Sequence, residues 1–283
     1  MKTLGLRARL RSKKVSAILI LIVSNSAWAY IPPYSMIVSR TAENHGRGTY
    51  VIDQDVIYKS ENENQIVHET WTVSDENHMR LTFQGLGSLK DVIKGTIVYE
   101  NQTRVVKEGS GNKSQRLGED WVEPFFYFRA SKTMRNRLVQ LKIAPPDSLR
   151  EDVPLKSEGD PMYTPPPFIR LAKLNGMVTW AIEKTAGVQD QPAIWIEQDQ
   201  FVVSRLRTPS KDSVDAADYG KYENGFYAPR LRTYHWNDRS VTVQIKNIKS
   251  LGASAKGVVS TVGLTPFQFS GSDAIRDFYL RFR

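Results

Sequence analysis

The 283-residue chain contains no cysteine, and that one absence removes several chemistries together. No disulfide framework can staple the fold, no thiolate can serve as nucleophile or metal ligand, and no lipobox cysteine is available for acylation. Histidine is nearly as scarce. His45, His68, His78 and His235 are the only four, and they lack both the i, i+4 spacing and the cysteine partners of a zinc site. They read as surface or turn residues. His68 and Glu69 sit next to each other in a strand pattern, so they point to opposite faces and cannot chelate one ion. Glycine-rich strand-to-helix loops, nucleophile elbows and phosphate cradles are missing too. The pairs Asp53 with Asp55 and Asp215 with Asp218 remain as acid–base candidates, and both read as solvated strand or turn faces. No cofactor or metal is implied, and the chain reads as a non-enzyme. An exported hydrolase with a site assembled from distant segments is the third-ranked alternative.

Apolar runs long enough to span a bilayer are also missing. The segment Val15 to Val23 falls short of the roughly 20 residues a spanning helix needs. It follows a basic opening, Met1 to Lys14, and leads into Ala27-Trp28-Ala29. That is the layout of a secretory signal peptide cleaved after Ala29, and with no cysteine in the chain it points to a bacterial periplasm. The segment holds six of the 39 basic residues and no acid, so the mature chain keeps 33 bases against 30 acids, and the formal charge falls from +9 to +3. A nucleic-acid partner loses its electrostatic footing.

What the mature chain, residues 30–283, does have is period-two patterning and aromatic side chains. After a brief helix at Ser35 to Ala42, Tyr50 to Tyr58 alternates with Tyr50, Ile52, Val56 and Tyr58 on one face. Gln65 to Val73 and Met79 to Phe83 form a hairpin around Ser74 to Asn77, and Thr96 to Glu100 and Thr103 to Lys107 form another around Asn101-Gln102. The pattern then fades through Gly109, Gly111 and Asn112. A dense aromatic stretch follows, with Trp121, Phe125, Phe126, Tyr127 and Phe128, and then a helical pattern at Arg129 to Leu141. Seven of the 14 prolines lie between Pro145 and Pro167, which marks a long connection at about 144–168. Alternation resumes at Val178, Trp180 and Ile182, in a hairpin of Ala193 to Glu197 with Phe201 to Arg207, and in another of Leu231 to Trp236 with Val241 to Ile248. Ser272 to Arg283 reads as a capped helix with arginines suited to its C-terminal dipole. The sum is a mainly β chain of roughly nine to eleven antiparallel strands with two or three covering helices. One curved sheet or incomplete barrel, or two smaller sheets joined by the proline stretch, would satisfy it.

A strongly curved open sheet leaves a concave apolar face that its own side chains do not fill. On this reading Trp71, Val73, Leu81 and Phe83 line the wall of a hydrophobic cavity, and Trp121, Phe125, Phe126 and Phe128 form a lid. The ligand expected there is a lipid or acyl chain, because each buried CH₂ contributes about 0.8 kcal/mol without any polar contact.

Particular stretches resemble the periplasmic lipoprotein-carrier (LolA/LolB-like) superfamily. They are Glu69-Thr70-Trp71-Thr72-Val73 leading to Met79-Arg80-Leu81, then Ala193 to Phe201 with Arg205-Leu206-Arg207, then Tyr222 to Tyr227 with Ala228-Pro229-Arg230. The resemblance implies an incomplete antiparallel barrel with helices as a lid, holding acyl chains of lipoproteins or related lipids in outer-membrane lipoprotein sorting. It also implies a binding role for Arg80, and inner- or outer-membrane envelope proteins as partners. The runner-up is an interaction or sensing module of the envelope on the same fold, its aromatics filling a dry core.

Overall fold

In a computed structural model of the chain, residues 31–59, 63–150, 165–252, 259–270 and 272–283 are described. The expected signal segment and residues 151–164 of the proline-rich connection lie outside them.

Fourteen strands make one antiparallel sheet. A first meander, β1 (Thr49–Tyr58), β2 (Gln65–Asp75), β3 (His78–Gly85), β4 (Ile93–Glu100), β5 (Thr103–Glu108) and β6 (Gly111–Arg116), runs outward to one edge. A second starts at the opposite edge with β7 (Ile169–Leu174) and β8 (Met177–Glu183). It continues through β9 (Ala193–Glu197), β10 (Val203–Arg207), β11 (Ser213–Lys221) and β12 (Tyr227–Trp236) to β13 (Arg239–Gly252). The halves meet where β1 pairs with β13, from Thr49 opposite Gly252 to Ile57 opposite Thr242. β14 (Gln268–Phe269) adds to β4. β6 and β7 are not paired with each other, so the barrel is incomplete. The β1–β13 ladder makes it one sheet and removes the two-sheet alternative.

The strands outnumber the sequence estimate because β6, β7, β11 and β14 have weak alternation. β6 is polar and exposed along its length. β7 is joined to β8 through Asn175 (φ 51°) and Gly176 (φ 85°), the Asn-Gly pair that a two-residue hairpin with two positive φ values demands. Asn101-Gln102 and Asn237-Asp238, both read as turns, also have positive φ at each residue.

Three helices accompany the sheet in the described residues: α1 (Tyr34–Glu43), α2 (Ser131–Gln140) and α3 (Asp273–Phe282). α1 and α2 pack on each other. α3 starts at Ser272, whose hydroxyl accepts a hydrogen bond from the Ile275 N–H. Its buried stripe, Ile275, Phe278, Tyr279 and Phe282, has the i, i+3, i+4, i+7 spacing of a core-facing helix. This stripe lies on the inner face of the sheet. Phe278 packs edge-on to Tyr58 and Tyr234, Tyr279 stacks on Phe83 with centroids 4.2 Å apart, and Phe282 meets Tyr234 and Trp236. Gly95, opposite Phe83, leaves the space this needs, since a Cβ there would come within 2.5 Å of the Phe83 ring.

Candidate functional site

The four expected wall residues share the inner face. Trp71 pairs with Leu81, and Val73 and Phe83 lie one repeat away on either side. The expected lid wraps onto that face through a short 3₁₀ turn, Glu123–Phe126. Trp71, Tyr99 and Trp121 form a stack, with Tyr99 and Trp121 centroids 4.3 Å apart and Trp71 and Tyr99 5.4 Å apart. Phe125 meets Phe128 edge-on, and Phe126 lies beneath the Arg232 guanidinium. None of the eight exceeds 4% exposure, so wall, lid and α3 fill the inner face together. Arg80 lies on the outer face, where it donates to the carbonyls of Ser260 and Val262 at 2.6 and 3.0 Å.

Within this apolar packing runs a polar network that sequence reasoning missed. Gln54 on β1 and Glu69 on β2 occupy inner-face positions and are fully buried. Gln54 Nε2 donates to Glu69 Oε2 at 2.6 Å, as does the Trp71 indole N–H at 3.0 Å. Arg283 Nε donates to Glu69 Oε1 and its Nη1 to Glu123 Oε2, each at 3.0 Å. Arg232 on β12 donates to Glu123 and, through Nη2, to Gln54 Oε1 at 2.7 Å. Hydroxyls of Tyr127 and Tyr234 donate to Glu123 at 3.1 and 2.8 Å. Burial pushes the Glu123 carboxyl up, but Arg232 and Arg283 outweigh it and hold the pKa below its usual value. Burial likewise opposes the charges on both arginines, and the facing carboxylates and tyrosines keep them protonated. Two carboxylates and two guanidiniums thus cancel in a site where an uncompensated charge would cost several kcal/mol. Arg283 was read as a dipole partner for α3; it is instead a buried anchor, stacked on Trp71 and Phe278. A polar residue at a strand position whose neighbours two away are apolar was the available signal, and both Gln54 and Glu69 carry it.

The histidines divide. His68, His78 and His235 are partly exposed and face carboxylates, His68 Nδ1 lying 2.9 Å from Asp55 and His235 Nε2 3.3 Å from Asp215. His45 departs from the surface reading, being buried with Nδ1 2.6 Å from the Phe128 carbonyl, and burial pushes its pKa down to about 4. Among the described residues no cluster of three or more His, Asp or Glu side chains can hold a metal ion, and no helix is long and apolar enough to cross a membrane.

Two clefts open beside the lid. One, of about 130 Å³, has Met79, Tyr99, Trp121, Pro124 and Phe128 on its floor and a polar rim that includes Asn77, Asn136 and Arg137. The other, of about 360 Å³, lies between the β5–β6 hairpin and the last turn of α3. Leu117 and Trp121 line both.

No family model matches this sequence, and no curated protein matches it. Solved structures do. The chain is similar to an outer membrane lipoprotein-sorting protein domain from Vibrio parahaemolyticus (9% identity, 77% of this chain and 92% of that one, TM-score 0.45). It is similar to a LolA superfamily protein from Nitrosomonas europaea (10% identity, 80% and 97%, TM-score 0.48). It is also similar to a DUF1329 family protein from Desulfovibrio piger (8% identity, 83% and 100%, TM-score 0.49). Identities of 8–10% and TM-scores below 0.5 make these likenesses only, and the fold rests on the chain's own open antiparallel sheet.

Proposed function

We propose that this chain is an exported, non-enzymatic binding protein of the cell envelope that holds an apolar group, a lipid or the acyl part of a lipoprotein, at the aromatic segment Trp121 to Phe128. The observation that carries the reading is the cleft beside Trp121: an apolar floor under a polar rim, reaching the Trp71–Tyr99–Trp121 stack. That arrangement suits a ligand with an apolar end and a wet end. Its roughly 130 Å³ is below the ~300–1,000 Å³ of ordinary small-molecule sites, so a long chain enters only as the lid and α3 yield space. Trp121 and Phe128 are then the first contacts, and Trp71, Val73, Leu81, Phe83, Phe125 and Phe126 the deeper ones. The signal-peptide pattern supports export to the periplasm, and envelope proteins are the expected exchange partners.

A second reading keeps the interior permanently dry and makes the fold an interaction module; the burial of all eight aromatic and aliphatic residues favours it. Native mass spectrometry after gentle purification, with tryptophan fluorescence titrated by fatty acid, separates the two. Lipid adducts and a saturable fluorescence change are expected. A reproducibly empty protein whose fluorescence ignores fatty acid would overturn lipid binding.

A further inference from the structure

A buried polar atom without a hydrogen-bond partner lowers stability and calls for a reason. Among the described residues two such atoms lie beside the Trp71–Tyr99–Trp121 stack, the Tyr99 hydroxyl and Arg283 Nη2. Neither residue is more than 1% exposed. The stack is a triangle, because Trp121 lies 4.3 Å from Tyr99 and 6.3 Å from Trp71, which are themselves 5.4 Å apart. Trp121 therefore covers both rings, and the Arg283 guanidinium lies 5.4 Å over Trp71. Burial holds the proton on the Tyr99 hydroxyl, and Arg283 is the foremost of the charges acting against it. Tyr99 lines the smaller cleft and Trp121 lines both. A Trp121 ring that swings away thus opens the clefts to each other and uncovers the Tyr99 hydroxyl.

Charge decides what these donors can take. Glu69 and Glu123 already balance Arg232 and Arg283, so a further anion would enter a neutral core uncompensated, at a cost of several kcal/mol. A neutral carbonyl oxygen, with two lone pairs, accepts from a hydroxyl and a guanidinium N–H together and adds no charge. We infer that Trp121 is a movable plug over a receptor for an acyl carbonyl. With the ring displaced, the ester or amide oxygen of a bound acyl chain accepts from the Tyr99 hydroxyl and Arg283 Nη2, and the hydrocarbon lies on Met79, Pro124 and Phe128. The inference rests on the proposed apolar binding at Trp121 and names the acyl ester or amide as the group held there. It also accounts for the two unpaired donors, which cost the empty protein stability and find their partner in the ligand.

Methyl decanoate, decanoate at mildly alkaline pH and the oxygen-free dye N-phenyl-1-naphthylamine test it by fluorescence titration. The wild-type protein should bind the methyl ester about tenfold more tightly than the anionic decanoate, with a red shift of tryptophan emission as Trp121 leaves its stack. Tyr99→Phe keeps the ring and removes only the hydroxyl. It should bind the ester about tenfold more weakly, bind the dye as the wild type does, and melt no lower than the wild type when empty. Ester and dye weakened alike would overturn the inference, leaving Tyr99 a packing residue of an apolar site. A lower melting temperature with ester binding unchanged would overturn it in favour of a hydroxyl satisfied by internal water. Decanoate bound as tightly as the ester would overturn the choice of a neutral acceptor. Failure of all three probes would overturn the proposed function as well.

Discussion

His45 and Asp212 are both buried, and they titrate in opposite senses. Burial pushes His45 from 6.5 down to about 4, so the folded chain refuses a proton that the unfolded chain accepts. Its contribution to stability is complete above pH 6.5 and is lost as pH falls toward 4, by at most about 3 kcal/mol. Asp212 goes the other way, since burial and the neighbouring Asp120 raise it from 3.8 to about 6. The folded chain takes that proton first, and on this group alone stability rises as pH falls from 6 toward 3.8. Glu123, held below its usual 4.5, adds its loss only as pH falls below 4.5. Thermal melts between pH 7 and 4.5 should therefore show a moderate acid loss in the wild type. The loss should be smaller in His45→Gln, which can still donate to the Phe128 carbonyl, and steeper in Asp212→Asn, which removes the opposing group. Parallel pH profiles for all three proteins would show that neither residue titrates as described.

α3 shows how far single elements can be read from sequence. Its cap at Ser272 and its stripe of Ile275, Phe278 and Tyr279 follow from helical periodicity alone, and the structure reproduces both. Phe278 is fully buried and meets the rings of Tyr58, Tyr234, Trp236, Tyr279 and Phe282. Phe278→Ala should cost about 3–5 kcal/mol in urea unfolding, whereas Leu280→Ala, on the exposed side of the same helix, should stay within about 0.5 kcal/mol. Strands with one apolar face were legible for the same reason, a period matched to the pleat. β7 was not, although Asn175-Gly176 announces its turn, because its own residues alternate poorly. The wall residues were placed on a common face because that needs only period two. What fills that face was illegible: Glu69 and Arg283 are 214 residues apart in sequence, and no local pattern pairs them.

The two meanders join at the β1–β13 ladder, and the polar network spans the same seam. Arg232 of β12 reaches Gln54 of β1 and Glu123 in the crossing segment, while Arg283 after α3 reaches Glu69 of β2. Each half thus buries a charge whose partner belongs elsewhere, and neither half alone satisfies its own interior. One cooperative transition follows for the folded body, with fluorescence of the five tryptophans beyond Trp28 and far-ultraviolet circular dichroism coinciding. Arg232→Met should lower stability by about 3–5 kcal/mol, because it strands Glu123 with one guanidinium in place of two. The nine residue pairs of β1 with β13 stay intact in that variant, so the denaturant dependence should keep its slope as the midpoint falls. Separate fluorescence and dichroism transitions in Arg232→Met would mean that the network, and not the ladder, holds the halves together. A midpoint unchanged from the wild type would mean that Arg283 alone suffices to balance the buried carboxylates.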